Sequence, residues 1–493
     1  MHSFHQVHKS IYYNDKQLSK NYIEWDEVRN NFKDFSNAYF IDEMSKSEEY
    51  KELGGLSIFA TGLVSKFADF LVDTYINSEG LSLLIEQSDK RSEIPEPNFT
   101  TLIGGISIMK FNGLNSFYVN LETDEDLIPI EKLEEASKKV ILNYGHTLGK
   151  FNYTGPLGYL PLRKFIIKKL LNGASMRCSE DEILVVSGSL QALDLVNETF
   201  LKPGDTVIIE EGSYGGVFSR LEKLGINIKG IPVEDDGMNI NLLSECLEDL
   251  KAINIVPRYI YTIPTIQNPT GTIMSKEKRI KLIELAKKYD VPIFEDDCYA
   301  DLIWGEERPP SIRALDDSKR VIYCGSFSKS IAPGFRLGYL VADWPILSRV
   351  LPYKTDAGTG GLEQMVLSEF CENYFFDHLT KLNQKLKSKA AIMCEALDKY
   401  FGNSVDYKNP VGGIYVWIKM PDGVDTSKLY NIALQEGVAI NPGVEWSMDK
   451  KNKQKMRLCF ANPTDKAIDE GVKKLAEVCK KEFGVPVSIA NIN

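Results

Sequence analysis

The chain has 493 residues, 43% hydrophobic and 26% charged, with a formal net charge of −11. That length suits two or three domains, the composition is that of an ordinary globular protein, and the acidic balance argues against a general nucleic-acid-binding surface. Eight cysteines are scattered, mostly in apolar runs and without a C-x-x-C pair, which reads as reduced core thiols in a cytoplasmic setting.

Residues 1–97 form a distinct opening. They carry 10 Lys or Arg against 17 Asp or Glu, a net −7 and most of the total charge. The start, "MHSFHQVHKSIYYND", has no apolar signal-peptide core. His2, His5 and His8 stand three apart; a metal site is conceivable there, but a loose polar terminus is the favoured reading and no metal is expected. The segment 56–76 places Phe59, Leu63, Phe67, Phe70 and Leu71 at helical spacing. It reads as an amphipathic helix, more readily packed on the main body than reserved for a partner. Lys66 and Asp69 interrupt it, so no membrane span is expected. Two prolines in "SEIPEPN", 92–98, mark a boundary.

From about residue 180 short apolar runs alternate with amphipathic helices. "EILVVS", "DTVIIEE", "INIKGIPV", "YIYTIP", "VPIFEDD" and "RVIYCGSF" read as strands. "GSLQALDLVNETFL", "YGGVFSRLEKLG" and "SKEKRIKLIELAKKYD" read as helices. This alternation predicts an α/β layer with a mainly parallel sheet, in which ligands bind beyond the strand ends. After about 360 a long helical stretch precedes "GGIYVWIKM" and "KMRLCFANP", a smaller α+β region. The expected division is an N-terminal, partly helical extension 1–97, an arm 98–150, a large domain 151–355 and a small domain 356–493.

The residues suited to chemistry collect at the strand ends. Ser187, Gly188 and Ser189 open a helix after the first strand, a place for either an ordinary N-cap or a phosphate. Tyr214 follows the second strand and offers an aromatic lid. Asn268 lies in the turn "QNPTG". "FEDDCY" ends a buried-looking strand with Asp296, Asp297 and Tyr299, and a carboxylate there is costly unless paired. Lys329, in "SFSKSIAPGFRLGY", follows another apolar run; an amine in a low-dielectric pocket near other cations has a lowered pKa and attacks an aldehyde. A phosphate cradle, a carboxylate for a ring N–H, phenol and amide donors for a ring oxygen, and a lysine for an aldehyde together describe pyridoxal 5'-phosphate.

In this order "YTGPLGYLPLR", "SGSLQALDLV", "QNPTG", "EDDCY", "SFSKSIAPGFRLGY", "PVGGIYVWIKMP" and "RLCFANP" resemble the fold-type-I, class I and II aminotransferases, nearest the aminoadipate and kynurenine branch and the aminotransferase-like domains of certain bacterial regulators. The resemblance covers roughly 98–485. It implies a seven-stranded sheet flanked by helices, with Lys329 carrying the cofactor, Asp296 on the pyridine nitrogen, Asn268 and Tyr299 on the ring oxygen, and Tyr214 on the ring face. It implies Gly188, Ser189, Leu190, Ser326, Ser328 and Arg336 on the phosphate, although position 190 is leucine where relatives commonly carry a polar residue. Tyr153 would reach the phosphate of a neighbouring subunit, which implies a homodimer. Arg457 would clamp the α-carboxylate of an amino acid, with Asn268 beside it; a buried guanidinium needs an anionic partner, and a structural salt bridge is the alternative.

Two features depart from the family pattern. The arm "GGISIMKFNGLNSFYVNLETDEDLIP" is lengthened by an insertion at about 106–128, and the acidic leader stands where related regulators carry a basic winged helix. The expected reaction is exchange of an amino group between an L-amino acid and a 2-oxo acid. Another pyridoxal-phosphate reaction (elimination, replacement, cyclisation or oxidation) is the alternative, and a cofactor-sensing regulator is the remote one. Neither nucleic acid nor membrane is an expected partner.

Overall fold

A computed structural model describes residues 127–150, 153–305, 307–356, 358–447 and 452–487. The leader, its 56–76 helix, the three N-terminal histidines, the 92–98 boundary and nearly all of the inserted arm lie outside the described residues.

In chain order α1 (Ile130–Tyr144) and α2 (Leu160–Ala174) precede β1 (Ile183–Val186), α3 (Ser189–Phe200), β2 (Thr206–Glu210), α4 (Gly215–Lys223) and β3 (Asn227–Ile231). A two-stranded ribbon, β4 (Val233–Glu234) and β5 (Gly237–Met238), leads to α5 (Ile240–Ala252), β6 (Ile260–Thr262), α6 (Lys276–Tyr289) and β7 (Ile293–Asp296). Then come α7 (Ile312–Leu315), β8 (Val321–Ser326), β9 (Gly338–Val341), α8 (Trp344–Val350) and the 41-residue α9 (Gly361–Phe401). The chain continues through β10 (Asp406–Tyr407), β11 (Tyr415–Lys419), α10 (Thr426–Gln435), β12 (Asn441–Pro442), β13 (Lys455–Cys459) and α11 (Asp465–Phe483).

Seven strands pair in the order β1-β9-β8-β7-β6-β2-β3. β9 alone runs against its neighbours. The mainly parallel sheet expected from the apolar runs is therefore present, with six of its strands where those runs predict them. Side chains alternate across the sheet with period two. Leu184, Val186, Val207 and Ile209 face a core shared with α3, α4 and α8. Ile183 and Val185 face the opposite way, with Tyr339 and Val341, into a core built by α1, α2 and α9. Ile208, Ile260, Ile293 and Val321 meet α5 and α6. Burial on both faces explains why these strands read as continuous apolar runs.

The second sheet is antiparallel, in the order β10-β11-β13-β12. It packs on α10, α11 and the carboxyl half of α9. The amino half of α9 puts Met365, Phe370 and Phe375 into the core of the first sheet, while Leu386, Met393 and Phe401 enter that of the second. One helix of 41 residues, about 60 Å at 1.5 Å per residue, thus ties both layers. The parallel strands all end on one edge, at Glu210, Thr262, Asp296 and Ser326. Because β9 is antiparallel, its first residue, Gly338, pairs with the last residues of both β1 (Val186) and β8 (Ser326). That register brings the segment before β9, with Arg336, back to the same edge.

Candidate active site

The lysine comes first. Within 321–330 every residue is fully buried except Lys329, which is half-buried. The chain leaves β8 at Ser326 and turns, carrying the lysine three residues past the strand. Removal from water, with repulsion from Arg457 and Arg336, pulls its amine down to about 8, although Cys298 and Cys459 act in the other direction. The nitrogen lies 6.0 Å from the centre of the Tyr299 ring.

Three consecutive acids end the neighbouring strand, and strand alternation separates their fates. Glu295 is buried on the far face, where it accepts from the backbone N–H groups of Ile312 (2.7 Å) and Arg313 (2.9 Å). Asp297 pairs with Arg308. Asp296 is half-buried and accepts from two neutral donors, the Tyr261 hydroxyl at 2.6 Å and the Cys298 N–H at 3.3 Å. Burial raises its pKa despite those donors. The sulfurs of Cys298 and Cys324 and an Asp296 carboxylate oxygen all lie within 4.8 Å of one another. The Cys298 thiol is pushed well up by its hydrogen bond with Cys324 and by burial, so it stays protonated.

Beyond β6 the chain turns at Asn268, which is buried. Its side-chain oxygen accepts from Arg457 Nη1 at 2.9 Å, so its amide N–H groups remain the donors of that side chain. Arg457 comes from β13 in the second sheet, and its Nη2 donates to Asn441 Oδ1 at 3.0 Å. Its guanidinium also lies over two rings, 4.2 Å from the centre of Trp446 and 4.8 Å from that of Tyr415. Tyr299 meets Tyr415 edge-on at 5.5 Å. Tyr214 precedes α4 and is half-buried; a side chain at position 216 would come within 2.6 Å of its ring, so Gly216 makes room for it.

The remaining residues gather where β1, β8 and β9 meet. Gly188 precedes α3 at φ 86° and ψ 163°, a region open only to glycine. A Cβ there would sit 2.7 Å from Arg336 Nη2, so the guanidinium lies directly on this glycine. The N–H groups of Ser189 and Leu190 belong to the first turn of α3, ahead of the first bond back to the Gly188 carbonyl, made by Gln191. Ser326 and Ser328 are buried, and the Ser326 hydroxyl accepts from the Ser328 N–H at 3.1 Å. Ser187 donates its N–H to Gln191 Oε1 at 2.7 Å. Tyr153 stands apart, 42% exposed, with its ring 6.3 Å from that of Tyr159.

Residues 119–475 match the family profile described as aminotransferase class I and II. The chain belongs to this family and is an aminotransferase. It is 33% identical to the aromatic-amino-acid aminotransferase 1 of Thermococcus litoralis over 73% of this chain and 86% of that one. The kynurenine aminotransferase of Pyrococcus horikoshii, solved in complex with PMP, kynurenine and its product, superposes with a TM-score of 0.72 at 30% identity, over 83% of this chain and 96% of that one. The transcriptional regulator NorG of Staphylococcus aureus is 27% identical over 88% of this chain and 95% of its own. Residues 1–84 match a profile described only as a protein of unknown function (DUF2939).

The cofactor of this family is pyridoxal 5'-phosphate, and the residues fit it. A carboxylate supported by neutral groups, an amine with its pKa lowered to about 8, a stacking ring and a guanidinium lying on a glycine beside the first-turn N–H groups of a helix are the donor set it requires. Four neighbours of this set are not singled out by the sequence. Tyr261 looks like strand core, Asn441 and Trp446 belong to a two-residue strand and a short 3-10 turn, and Glu210 looks like the polar end of a strand.

Proposed function

We propose that Lys329 carries pyridoxal phosphate and that the enzyme moves an amino group from an L-amino acid, held by its α-carboxylate on Arg457, to a 2-oxo acid. The observation that carries this reading is the half-buried Lys329, alone in a buried run, with its amine near 8. When bound, the cofactor supplies an electron sink for the bonds at the substrate Cα. Asp296 keeps a proton on the ring nitrogen, and Tyr261 holds that carboxylate in place. Asn268 and Tyr299 donate to the ring oxygen, Asn268 adds a contact beside the substrate carboxylate, and Tyr214 covers the ring. Gly188, Ser189, Leu190, Ser326, Ser328 and Arg336 receive the phosphate. With the cofactor in place, Lys329 would take the proton from the substrate Cα as a neutral amine and hold it as an ammonium for return to the cofactor–substrate pair.

The seven-stranded sheet of 151–355 serves as the cofactor domain and 356–493 as the small domain, with 98–150 as arm and 1–97 as extension. A homodimer, in which Tyr153 reaches the partner's phosphate site, accords with the exposure of Ile141, Leu142, Leu148 and Leu160, which flank it in sequence. Among the described residues no helix is long and apolar enough to cross a membrane, and none of the eight cysteines forms a disulfide; a cytoplasmic enzyme fits both.

An amino-donor screen against several 2-oxo acids, with mass spectrometry of products, tests the reaction. A matched pair of new amino acid and new 2-oxo acid is expected. Products of another kind, with the cofactor still on Lys329, would turn the reading to elimination or a related reaction. One observation favours a second reading: the regulator NorG matches over almost its whole length. A DNA-binding regulator predicts a salt-sensitive gel shift with promoter DNA, whereas the net −7 of residues 1–97 predicts none.

A further inference from the structure

Glu210 is a fully buried acid that none of the steps above uses. It ends β2, beside Thr262 at the end of the parallel β6. Its Oε1 accepts from the Thr262 hydroxyl at 2.5 Å. Its Oε2 accepts from the Ile263 N–H at 3.2 Å and from Gln267 Nε2 at 3.1 Å. Gln267 is itself saturated. Its second N–H goes to the Gly212 carbonyl at 2.6 Å, and its oxygen accepts from the Thr270 N–H (2.9 Å) and hydroxyl (2.7 Å). One buried carboxamide therefore makes every bond open to it, and each leads to a segment that borders the pocket.

On one side is the turn that carries Asn268. It is closed by Gln267 N–H on the Thr272 carbonyl (2.8 Å) and Gly271 N–H on the Gln267 carbonyl (2.6 Å), and the Tyr415 hydroxyl donates to the Gln267 carbonyl from the second sheet at 3.2 Å. On the other side is the loop Gly212-Ser213-Tyr214. Gly212 bridges to Ser447, and the Ser213 N–H donates to the Trp446 carbonyl at 3.0 Å. Trp446 in turn lies under Arg457.

We infer that Glu210 and Gln267 are a pair of positioning residues that fix Asn268, Tyr214 and the Trp446–Arg457 stack relative to one another, so that ring contacts and carboxylate clamp are set together. The inference rests on the proposed roles of those residues. Geometry rather than charge is what the pair supplies. Burial pushes the Glu210 carboxyl up to about 7 against the donors that pull it down. Its acid form can donate to the Thr262 oxygen while its other oxygen keeps Ile263 and Gln267. A glutamine at 210 can do the same.

The test uses the full chain loaded with cofactor. Gln267→Met keeps the volume and removes every side-chain bond. It is expected to fold, to keep the cofactor through the unaltered phosphate residues, and to shift the absorbance band of the Lys329-linked cofactor. Turnover should fall and KM for the amino donor rise, together by about 100-fold, the size expected of a misplacement near 1 Å. Glu210→Gln should restore nearly wild-type band and KM where Glu210→Leu does not. If Gln267→Met melts earlier but keeps the wild-type band, turnover and KM at a temperature where it is folded, the pair is structural and the inference is wrong. Should that variant not fold, Thr262→Val, which removes one donor to the same carboxylate, takes its place. A shifted band or raised KM then supports the inference, and an unmoved band and KM overturn it. Because the band is read without turnover, loss of the aminotransferase reading through the donor screen stays separate from loss of this one.

Discussion

The two sheets contribute to the pocket by opposite means. At the ends of β7 and β8 the ionisable groups are displaced from their ordinary behaviour: Asp296 is raised by burial and Lys329 pulled down to about 8. Both are half-buried; Asp296 accepts from the neutral Tyr261 hydroxyl and Cys298 N–H, and Lys329 feels the charges of Arg457 and Arg336. On β13 the guanidinium of Arg457 is buried, donates to two amide oxygens and lies over two rings. In the proposed function the first region supplies the reactive groups and the second the receptor. Burial beside neutral donors raises a carboxyl, burial with like charge nearby lowers an amine, and oriented amide oxygens and π faces hold a buried guanidinium in place.

The largest expected effects fall on the reactive side. Lys329→Ala should lower turnover by at least about 10⁴-fold, the upper end for loss of a general acid–base group, because the covalent link goes too. Borohydride should no longer fix cofactor to the chain, as mass spectrometry of the reduced protein would show; an adduct surviving on another lysine would remove Lys329 from the site. Asp296→Asn should bind cofactor and lose about 10²–10³-fold in turnover, since an amide does not hold a proton on the ring nitrogen. Asp297→Asn is the control. It should cost stability, on the order of 3 kcal/mol for a broken buried pair with Arg308, and leave turnover nearly unchanged. A reversal of these two results would break the assignment of the three consecutive acids.

The receptor side should respond in affinity and not in chemistry. Arg457→Lys keeps the charge and loses the planar fork that reaches Asn268 and Asn441 together. KM for the amino donor should rise about 10- to 100-fold, roughly 1.4–2.8 kcal/mol, with turnover much less affected. A titration of the amino acid followed in the cofactor spectrum, beside a melting curve, separates this from a structural salt bridge, which predicts a lower melting temperature and unaltered affinity.

How much of this was legible follows the same division. Asp296 and Lys329 announce themselves because each ends an apolar run that has no local use for a charge. β9 escapes the same search: it has four residues, opens with a glycine and overlaps the end of the lysine motif, and its antiparallel course depends on pairing with the preceding β8 and the distant β1. That course is what returns Arg336 to Gly188. The receptor is less legible still. Asn268 and Arg457 are 189 residues apart, Asn441 lies in a two-residue strand, and Trp446 is in a short 3-10 turn. No periodicity links such residues; a guanidinium in an apolar run singles out Arg457, and the resemblance to a family gives it its partner. Tyr261 is hidden for another reason, since a tyrosine inside a buried strand reads as core until its hydroxyl is found on Asp296.

The smallest expected effect tests whether the two regions are electrically joined. Neutral amine, not ammonium, attacks the cofactor aldehyde, so loading of apoenzyme depends on the neutral fraction of Lys329. With the amine at about 8, the loading rate should rise nearly tenfold from pH 6 to 7, about fivefold from 7 to 8, and level off above. A lysine of ordinary behaviour would instead keep accelerating beyond pH 9. Burial is the main cause of the lowered value, and repulsion from Arg457 adds to it. Arg457→Met removes that repulsion while leaving β8 alone, so the break in the profile should move to higher pH but stay below that of an exposed lysine. Stopped-flow absorbance during cofactor addition measures both profiles. A break that stays at the same pH would mean that the receptor's charge does not reach the lysine, and that the seven-stranded sheet tunes its amine by burial alone.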